Sequence, residues 1–227
     1  MASDKDGPLM LTRKLCKRAA KNGFLILLIP VYLLCELLSL IGERDGIFQS
    51  FSQALSLIPG KIGVYSRAAF YRLACPQTSD DISIGFLTVL SHRDTTLHPG
   101  VYIGPGGNIG KCSIGSDTLL GSGVHILSGS RQHEFNDPTV PIKHQGGHFE
   151  KIRIGADCWL GNNAVVMCPL PDKTLVAAGS VVTRSGVIGD ILAGNPARVV
   201  RNRLQSDAAN SQPHQRRQVS GDQARDQ

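Results

Sequence analysis

Residues 102–115 read YIGPGGNIGKCSIG, a glycine-dense run that also holds a lysine. Such a run invites a phosphate-cradling reading, and spacing tests it. A P-loop needs a glycine five residues before its Gly-Lys pair and a Ser or Thr after it. Pro105 holds the first position and Cys112 follows Lys111. The dinucleotide fingerprint fails as well, because counting from Gly104 and Gly106 the third glycine falls on Ile109. The glycines therefore need another cause, and the isoleucines beside them supply it. Ile103, Ile109 and Ile114 are each followed directly by glycine.

The same beat extends in both directions. Ile84, Leu90, Leu97, Ile103, Ile109, Ile114, Leu120 and Ile126 recur at intervals of 6, 7, 6, 6, 5, 6 and 6. It resumes at Ile154, Leu160 and Val166, then at Val176 and Val182. A six-residue period marks a parallel β-helix, in which each unit is a short strand plus a turn and three units close one triangular coil. The aliphatic residue points inward and stacks on its counterpart one coil away. The glycine after it takes the corner, where a positive φ or a close backbone approach is needed. Small residues a few places on, Ser113, Ser122, Ala164 and Ser180, suit a narrow interior. An antiparallel sandwich would instead show period-two alternation and hairpin turns.

The coil is broken once, over residues 128–150, SGSRQHEFNDPTVPIKHQGGHFE. An insertion of this length in a compact repeat reads as functional. It holds His133, His144 and His148. His144 and His148 read as solvated loop residues, and His125, inside a rung, as a structural or supporting one.

Composition bounds the rest. The chain has 227 residues, 41% hydrophobic and 5% aromatic, so one substantial core is built mostly from aliphatic side chains. Its net charge of +6 is split between Arg13, Lys14, Lys17, Arg18 and Lys21 at one end and six arginines from Arg198 to Arg225 at the other. No groove-reading motif or stacking platform accompanies those charges, so nucleic acid is not an expected partner. The six cysteines form no C-x-x-C pair and read as reduced, mostly buried thiols.

Residues 23–42, GFLILLIPVYLLCELLSLIG, are almost wholly apolar. Residues 24–41 make a helix of about 27 Å, borderline for crossing a bilayer. Pro30 and Glu36 interrupt it, and no small-residue cleavage site follows, so it reads as a retained, kinked segment. The next stretch, with a Pro59-Gly60 break, suits an amphipathic helix pair. Residues 23–75 are thus expected to attach to a membrane without crossing it, or to lie against the main domain. The expected division is a helical extension over 1–80, a coil over 81–203, and a disordered polar tail over 204–227.

The repeat, the loop and the segments Trp159-Leu160-Gly161-Asn162, Ala177-Ala178-Gly179-Ser180 and Gly194-Asn195-Pro196-Ala197-Arg198 together resemble the hexapeptide-repeat O-acetyltransferases. The pattern is similar to that of the maltose, galactoside, virginiamycin and exopolysaccharide-modifying members, over residues 84–203. The resemblance implies an all-β, left-handed parallel β-helix with a protruding catalytic loop. It also implies a homotrimer with acetyl-CoA sites between neighbouring subunits.

By the same resemblance His133 is the general base, and Glu134, Asn136 or Asp137 would orient its ring. Trp159 walls the acceptor site, and Asn162, Ala178 and Gly179 face the pantetheine arm. Thr183, Arg198 and Arg201 lie near the nucleotide phosphates. Two features depart from the sugar enzymes: Pro105 stands nearest in register to the asparagine that positions the acceptor in the galactoside enzyme, and the histidine sits later in its loop. The implied reaction moves an acetyl group from acetyl-CoA, without a metal, to a sugar hydroxyl of a free or lipid-linked polysaccharide precursor. With the apolar N-terminal segment, the expected location is the cytoplasm, on the cytosolic face of the inner membrane. An imidazole, with a reference pKa of about 6.5, is mostly neutral at cytosolic pH and can take the hydroxyl proton. Three other readings share the repeat: a γ-carbonic-anhydrase-like zinc enzyme using His133, His144 and His148, a serine acetyltransferase, and an inactive scaffold.

Overall fold

The computed structural model describes residues 8–205; the predicted tail lies almost wholly outside them. Three helices come first, α1 (Pro8–Leu38), α2 (Arg44–Ser56) and α3 (Gly60–Ala74). Fifteen short strands follow. The first six are β1 (Ser83–Ile84), β2 (Val89–Leu90), β3 (Thr96–Leu97), β4 (Tyr102–Ile103), β5 (Asn108–Ile109) and β6 (Cys112–Ile114). Then come β7 (Leu119–Leu120), β8 (His125–Ile126), β9 (Ile152–Ile154), β10 (Trp159–Leu160) and β11 (Val165–Val166). The last are β12 (Leu175–Val176), β13 (Val181–Val182), β14 (Asp190–Gly194) and β15 (Ala197–Asn202).

Three sheets form, ordered β1-β4-β7-β10-β12-β14-β15, β2-β5-β8-β11-β13 and β3-β6-β9. Through β8 each strand pairs in parallel with the one three places on, as Ile84 with Ile103 and Leu90 with Ile109. The chain therefore climbs one turn per three strands, and the sheets are three faces of one coil. Beyond the long loop the third face continues only as a bridge between Ile154 and Leu170. An antiparallel hairpin, β14–β15, ends the run, with a cis Asn195–Pro196 bond at its turn.

The aliphatic column stands as the period predicts: from Ile84 to Val182 every named member is at most 2% exposed. The second inward column differs from the expectation. Ala164 and Ser180 are buried, but Ser113 and Ser122 are half-exposed. Buried instead are the residues two places before each aliphatic, among them Thr88, Thr118, Cys158 and Thr174. With a strand period of two, positions n−2 and n share a face. Inside the coil the Thr88 and Thr118 hydroxyls find carbonyls one turn away, as Thr88 Oγ1 donates to the Gly104 carbonyl at 2.7 Å, while Thr174 donates locally to the Pro171 carbonyl.

The corner glycines act by close approach. A Cβ on Gly115 would sit 2.5 Å from the Ala156 nitrogen on the next turn. The positive φ falls two residues later, as at Gly179 with φ +69° or Asp117 with φ +58°.

Helices α2 and α3 close the first turn. Glu43 caps α2, its carboxylate accepting from the Asp45 and Gly46 amides, and Pro59-Gly60 separates the pair as expected. Phe48, Phe70 and Tyr71 are fully buried. Ser52 Oγ accepts from the Leu90 amide at 2.9 Å and meets Tyr71 OH at 2.6 Å. The apolar sides of α2 and α3 therefore face the coil, so of residues 23–75 only α1 keeps an apolar side exposed. Pro30 does not break α1, which runs unbroken past it with Pro30 on the exposed side.

Candidate functional site

The loop between β8 and β9 leaves the coil at the edge that follows the second face, and carries one short 3-10 turn, Ile142–His144. Two backbone bonds pin it into a hairpin-like arm: Glu134 N–H donates to the Gly146 carbonyl and His148 N–H to the Arg131 carbonyl. Gly147 fits there because a Cβ would lie 1.9 Å from the Gln132 carbonyl oxygen. The arm holds an open cleft lined by Arg131, His133, Glu134, Phe135, Asn136 and His148.

His133 is exposed in this cleft, and its ring stands edge-on to Phe149 with centroids 6.4 Å apart. Phe149 in turn lies 5.2 Å from the ring of His92, at the same coil edge two turns earlier. His92 Nδ1 is held 2.9 Å from Ser91 Oγ. Neither His92 nor Phe149 carries a sequence signal: one sits at an aperiodic corner and the other at the loop's exit. The loop base is tied by Lys151, whose Nζ donates to Asp94 Oδ1 at 2.7 Å, and Lys111 reaches the same carboxylate at 3.3 Å.

Of the three predicted orienting groups, Glu134 and Asn136 line the His133 cleft and Asp137 does not. Asp137 Oδ1 accepts from Thr139 N–H and Oγ1, and these bonds hold its carboxyl below the usual range. It serves the loop's own turn. His148, read from sequence as solvated, is exposed yet shares the cleft, while His144 lies in the 3-10 turn.

The remaining predicted residues lie elsewhere on the coil. Trp159 projects from the first face, 52% exposed, in an outward row with Tyr102 and Leu119, each 44% exposed. Asn162, Ala178 and Gly179 stack at the edge between the first and second faces. There Asn162 Oδ1 accepts from the Ser122 amide at 2.9 Å, and the residue is exposed. At Gly179 nothing lies within 4 Å of a Cβ position, so the backbone there is open to a ligand. Thr183 is exposed at the edge the loop leaves from, and Arg198 and Arg201 are exposed on β15. Within one chain the second face thus separates the His133 edge from the Asn162 edge. His125, on that face between Asn108 and Val165, points outward and is exposed.

Burial pushes the Cys112 thiol up to about 12 and raises those of Cys158 and Cys168, so none stands as a ready thiolate. Among the described residues of one chain, no three His, Cys, Asp or Glu side chains converge as a metal site would require.

The fold defines a class, the hexapeptide-repeat coil, and comparison with known proteins agrees. Residues 151–184 match the family described as hexapeptide repeat of succinyl-transferase. A maltose O-acetyltransferase from Clostridium difficile 630 shares the fold at TM-score 0.61 and 17% identity, over 71% of this chain and 89% of that one. A galactoside acetyltransferase in complex with coenzyme A does so at TM-score 0.51 and 17% identity, over 71% and 83%. In sequence, the chain is 28% identical over 101 residues to the putative colanic acid biosynthesis acetyltransferase WcaF of Escherichia coli K12, 44% of this chain and 52% of that protein. The chain spans about half of that relative's length and about a third of others.

Proposed function

We propose that the chain is an O-acetyltransferase that moves an acetyl group from acetyl-CoA to a sugar hydroxyl, with His133 as the general base. The observation that carries this reading is His133 itself. It stands in an open cleft, with Glu134 and Asn136, on the loop that interrupts an otherwise regular hexapeptide coil. The named relatives support it: the two solved structures of like fold are a maltose O-acetyltransferase and a galactoside acetyltransferase, the latter in complex with coenzyme A, and the WcaF relative is named for colanic acid biosynthesis.

In this reading the coil is a left-handed parallel β-helix and the working unit a homotrimer. The outward row Tyr102–Leu119–Trp159 supports that assembly, because it exposes three large apolar side chains in line for a neighbour to cover. A subunit boundary would let the His133 loop of one copy meet the Asn162–Gly179 edge of another, which a single chain keeps apart. Asn162, Ala178 and Gly179 would then hold the pantetheine arm, Thr183, Arg198 and Arg201 the phosphates, and Trp159 would wall the acceptor.

His133 takes the acceptor's hydroxyl proton as that oxygen bonds to the acyl carbon. The carbon–sulfur bond breaks, and the proton passes to the departing thiolate. The acceptor is a hydroxyl on a cell-surface or exopolysaccharide precursor, free or lipid-linked, met at the cytosolic face of the inner membrane.

The test is acetyl transfer to a panel of free and lipid-linked sugars by the full chain and its His133→Ala variant. The variant should lose about 10²- to 10⁴-fold in kcat while still binding coenzyme A. Unchanged transfer would remove His133 from the mechanism.

A further inference from the structure

Helix α1 turns its apolar side away from the protein. Leu28 and Cys35 are buried and Tyr32 half-buried on the coil side. The other side carries Ile26 at 69% exposure, Leu33 at 56% and Leu37 at 61%. Every exposed residue within 23–42 is apolar or glycine, the reverse of a helix that faces water.

Residues Leu15–Leu38 are long and apolar enough to cross a bilayer, yet the coil side of the helix argues otherwise. Lys21 Nζ meets Asp81 at 2.8 Å, and Glu36 pairs with Arg93. Both partners belong to the coil's first turn, and the two pairs stand about 22 Å apart along α1. Together they hold its length flat against the protein. Crossing would strip both pairs and leave Glu36 in hydrocarbon.

The charges fit a surface instead. By the helical period Lys17 and Lys21 fall opposite the apolar row, where both reach Asp81, and Arg18 falls on its flank. Lys61 and Arg72 of α3 adjoin them around the same two clefts, where Asp80 and Asp81 are the lining carboxylates. An apolar row backed by cations is the arrangement of a helix lying at the level of lipid phosphates.

We propose that α1 docks in the plane of an anionic phospholipid bilayer, its outer row among the acyl chains and the exposed Lys17 and Arg18 at the phosphate layer, without crossing. The inference extends the membrane-face reading above. It also places the chemistry, because Arg93 is the neighbour of His92, on which Phe149 and the His133 arm rest. The cleft then opens beside the docked helix.

The full chain is mixed with vesicles of phosphatidylethanolamine and phosphatidylglycerol (about 3:1) and floated on a density gradient. It should float, and bind phosphatidylcholine vesicles about tenfold more weakly. Leu33→Glu/Leu37→Glu should abolish flotation, and Lys17→Glu/Arg18→Glu should remove the preference for phosphatidylglycerol. Epitopes fused ahead of Met1 and after Gln227 should both resist external protease in intact spheroplasts and both be cut on lysis. An outer epitope ahead of Met1 with a protected one after Gln227 would overturn the in-plane arrangement while leaving membrane attachment intact. Self-association through α1 with no flotation would overturn the docking altogether. Transfer to a soluble sugar, lost only in His133→Ala, would still stand as evidence for the enzyme in either case.

Discussion

Glu36, the one acidic side chain in the apolar stretch of α1, is paired with Arg93 at the corner after β2. Arg93 is held from three further directions: its amide donates to Asp45 Oδ1, its Nε to the Ala74 carbonyl, and its guanidinium lies 5.9 Å from the Tyr32 ring centre. The pair thus joins all three helices to the coil at one point. Burying part of an ion pair is costly unless fixed partners take its other hydrogen bonds; Arg93 has them at its amide and Nε, while its buried Nη1 has none.

That pair makes the docking of α1 acid-sensitive. Hydrogen bonding from Arg93, with Arg44 nearby, holds the Glu36 carboxyl below the usual carboxylate range. A lowered folded-state pKa contributes stability that is present above the unfolded value and is lost as pH falls through the folded one. Amide protection factors across residues 28–38, corrected for the intrinsic pH dependence of exchange, should therefore be high at neutral pH and fall once pH drops below the ordinary carboxylate range. Glu36→Gln should exchange fast at pH 7 and show no such acid step. An identical acid step in the variant would assign it to another group.

Arg67 should matter more to stability than its place in a mixed helix suggests. It is fully buried, and donates through Nε to the Ile84 carbonyl and through Nη1 to those of Leu55 and Ile58, all at 2.9 Å. One side chain thus satisfies the carbonyl end of α2 and bonds to the first rung. Arg67→Met fills the space but orphans these carbonyls, and should cost about 3 kcal/mol. The corresponding fall in Tm is roughly 10 °C, read by circular dichroism. Arg67→Lys should not restore it, because an ammonium lacks the planar fork of donors.

How far these features could be read beforehand depends on their range. The inward column was legible from Ile84 to Val182 because a coil repeats its constraint every six residues, so one pattern reports every rung. The loop was legible for the converse reason, as the place where the pattern stops. The second inward column was misplaced at Ser113 and Ser122, since small size alone does not say on which side of a strand a residue falls. Nothing local could pair Glu36 with Arg93 or seat Phe149 on His92, because these contacts join distant segments. Hydropathy marked α1 as apolar without showing that its apolar side would face away from the protein.

Two glycine substitutions separate close approach from backbone conformation. At Gly115 a methyl would lie 2.5 to 2.7 Å from backbone atoms of Gly155 and Ala156, which the coil's own hydrogen bonds hold in place. At Gly179 the backbone has φ +69° but the space is open. Gly115→Ala should therefore cost about 3 kcal/mol as an overpacked contact. Gly179→Ala should cost only about 1 kcal/mol of left-handed strain. Urea titration of both variants checks the order, and the reverse ranking would make corner conformation, rather than turn-to-turn spacing, the reason for glycine after each aliphatic.

The last prediction concerns the rings beneath the cleft. Phe149 stands between His92 and His133, with centroid separations of 5.2 and 6.4 Å, and makes no hydrogen bond through its side chain. Its role is to fix where the His133 imidazole stands. Phe149→Ala should lower kcat about tenfold, because a misplaced base loses proton-transfer efficiency steeply with distance. KM for acetyl-CoA should hold, since Asn162, Ala178 and Gly179, assigned to the pantetheine arm, lie on another edge of the coil. Phe149→Tyr, which keeps the ring, should restore most of the rate. His92→Ala should slow the reaction by the same route, so combining it with Phe149→Ala should cost less than the sum of the two in ΔΔG‡. Additive losses, or a rise in KM with kcat intact, would show that the stack supports the loop generally without positioning its histidine.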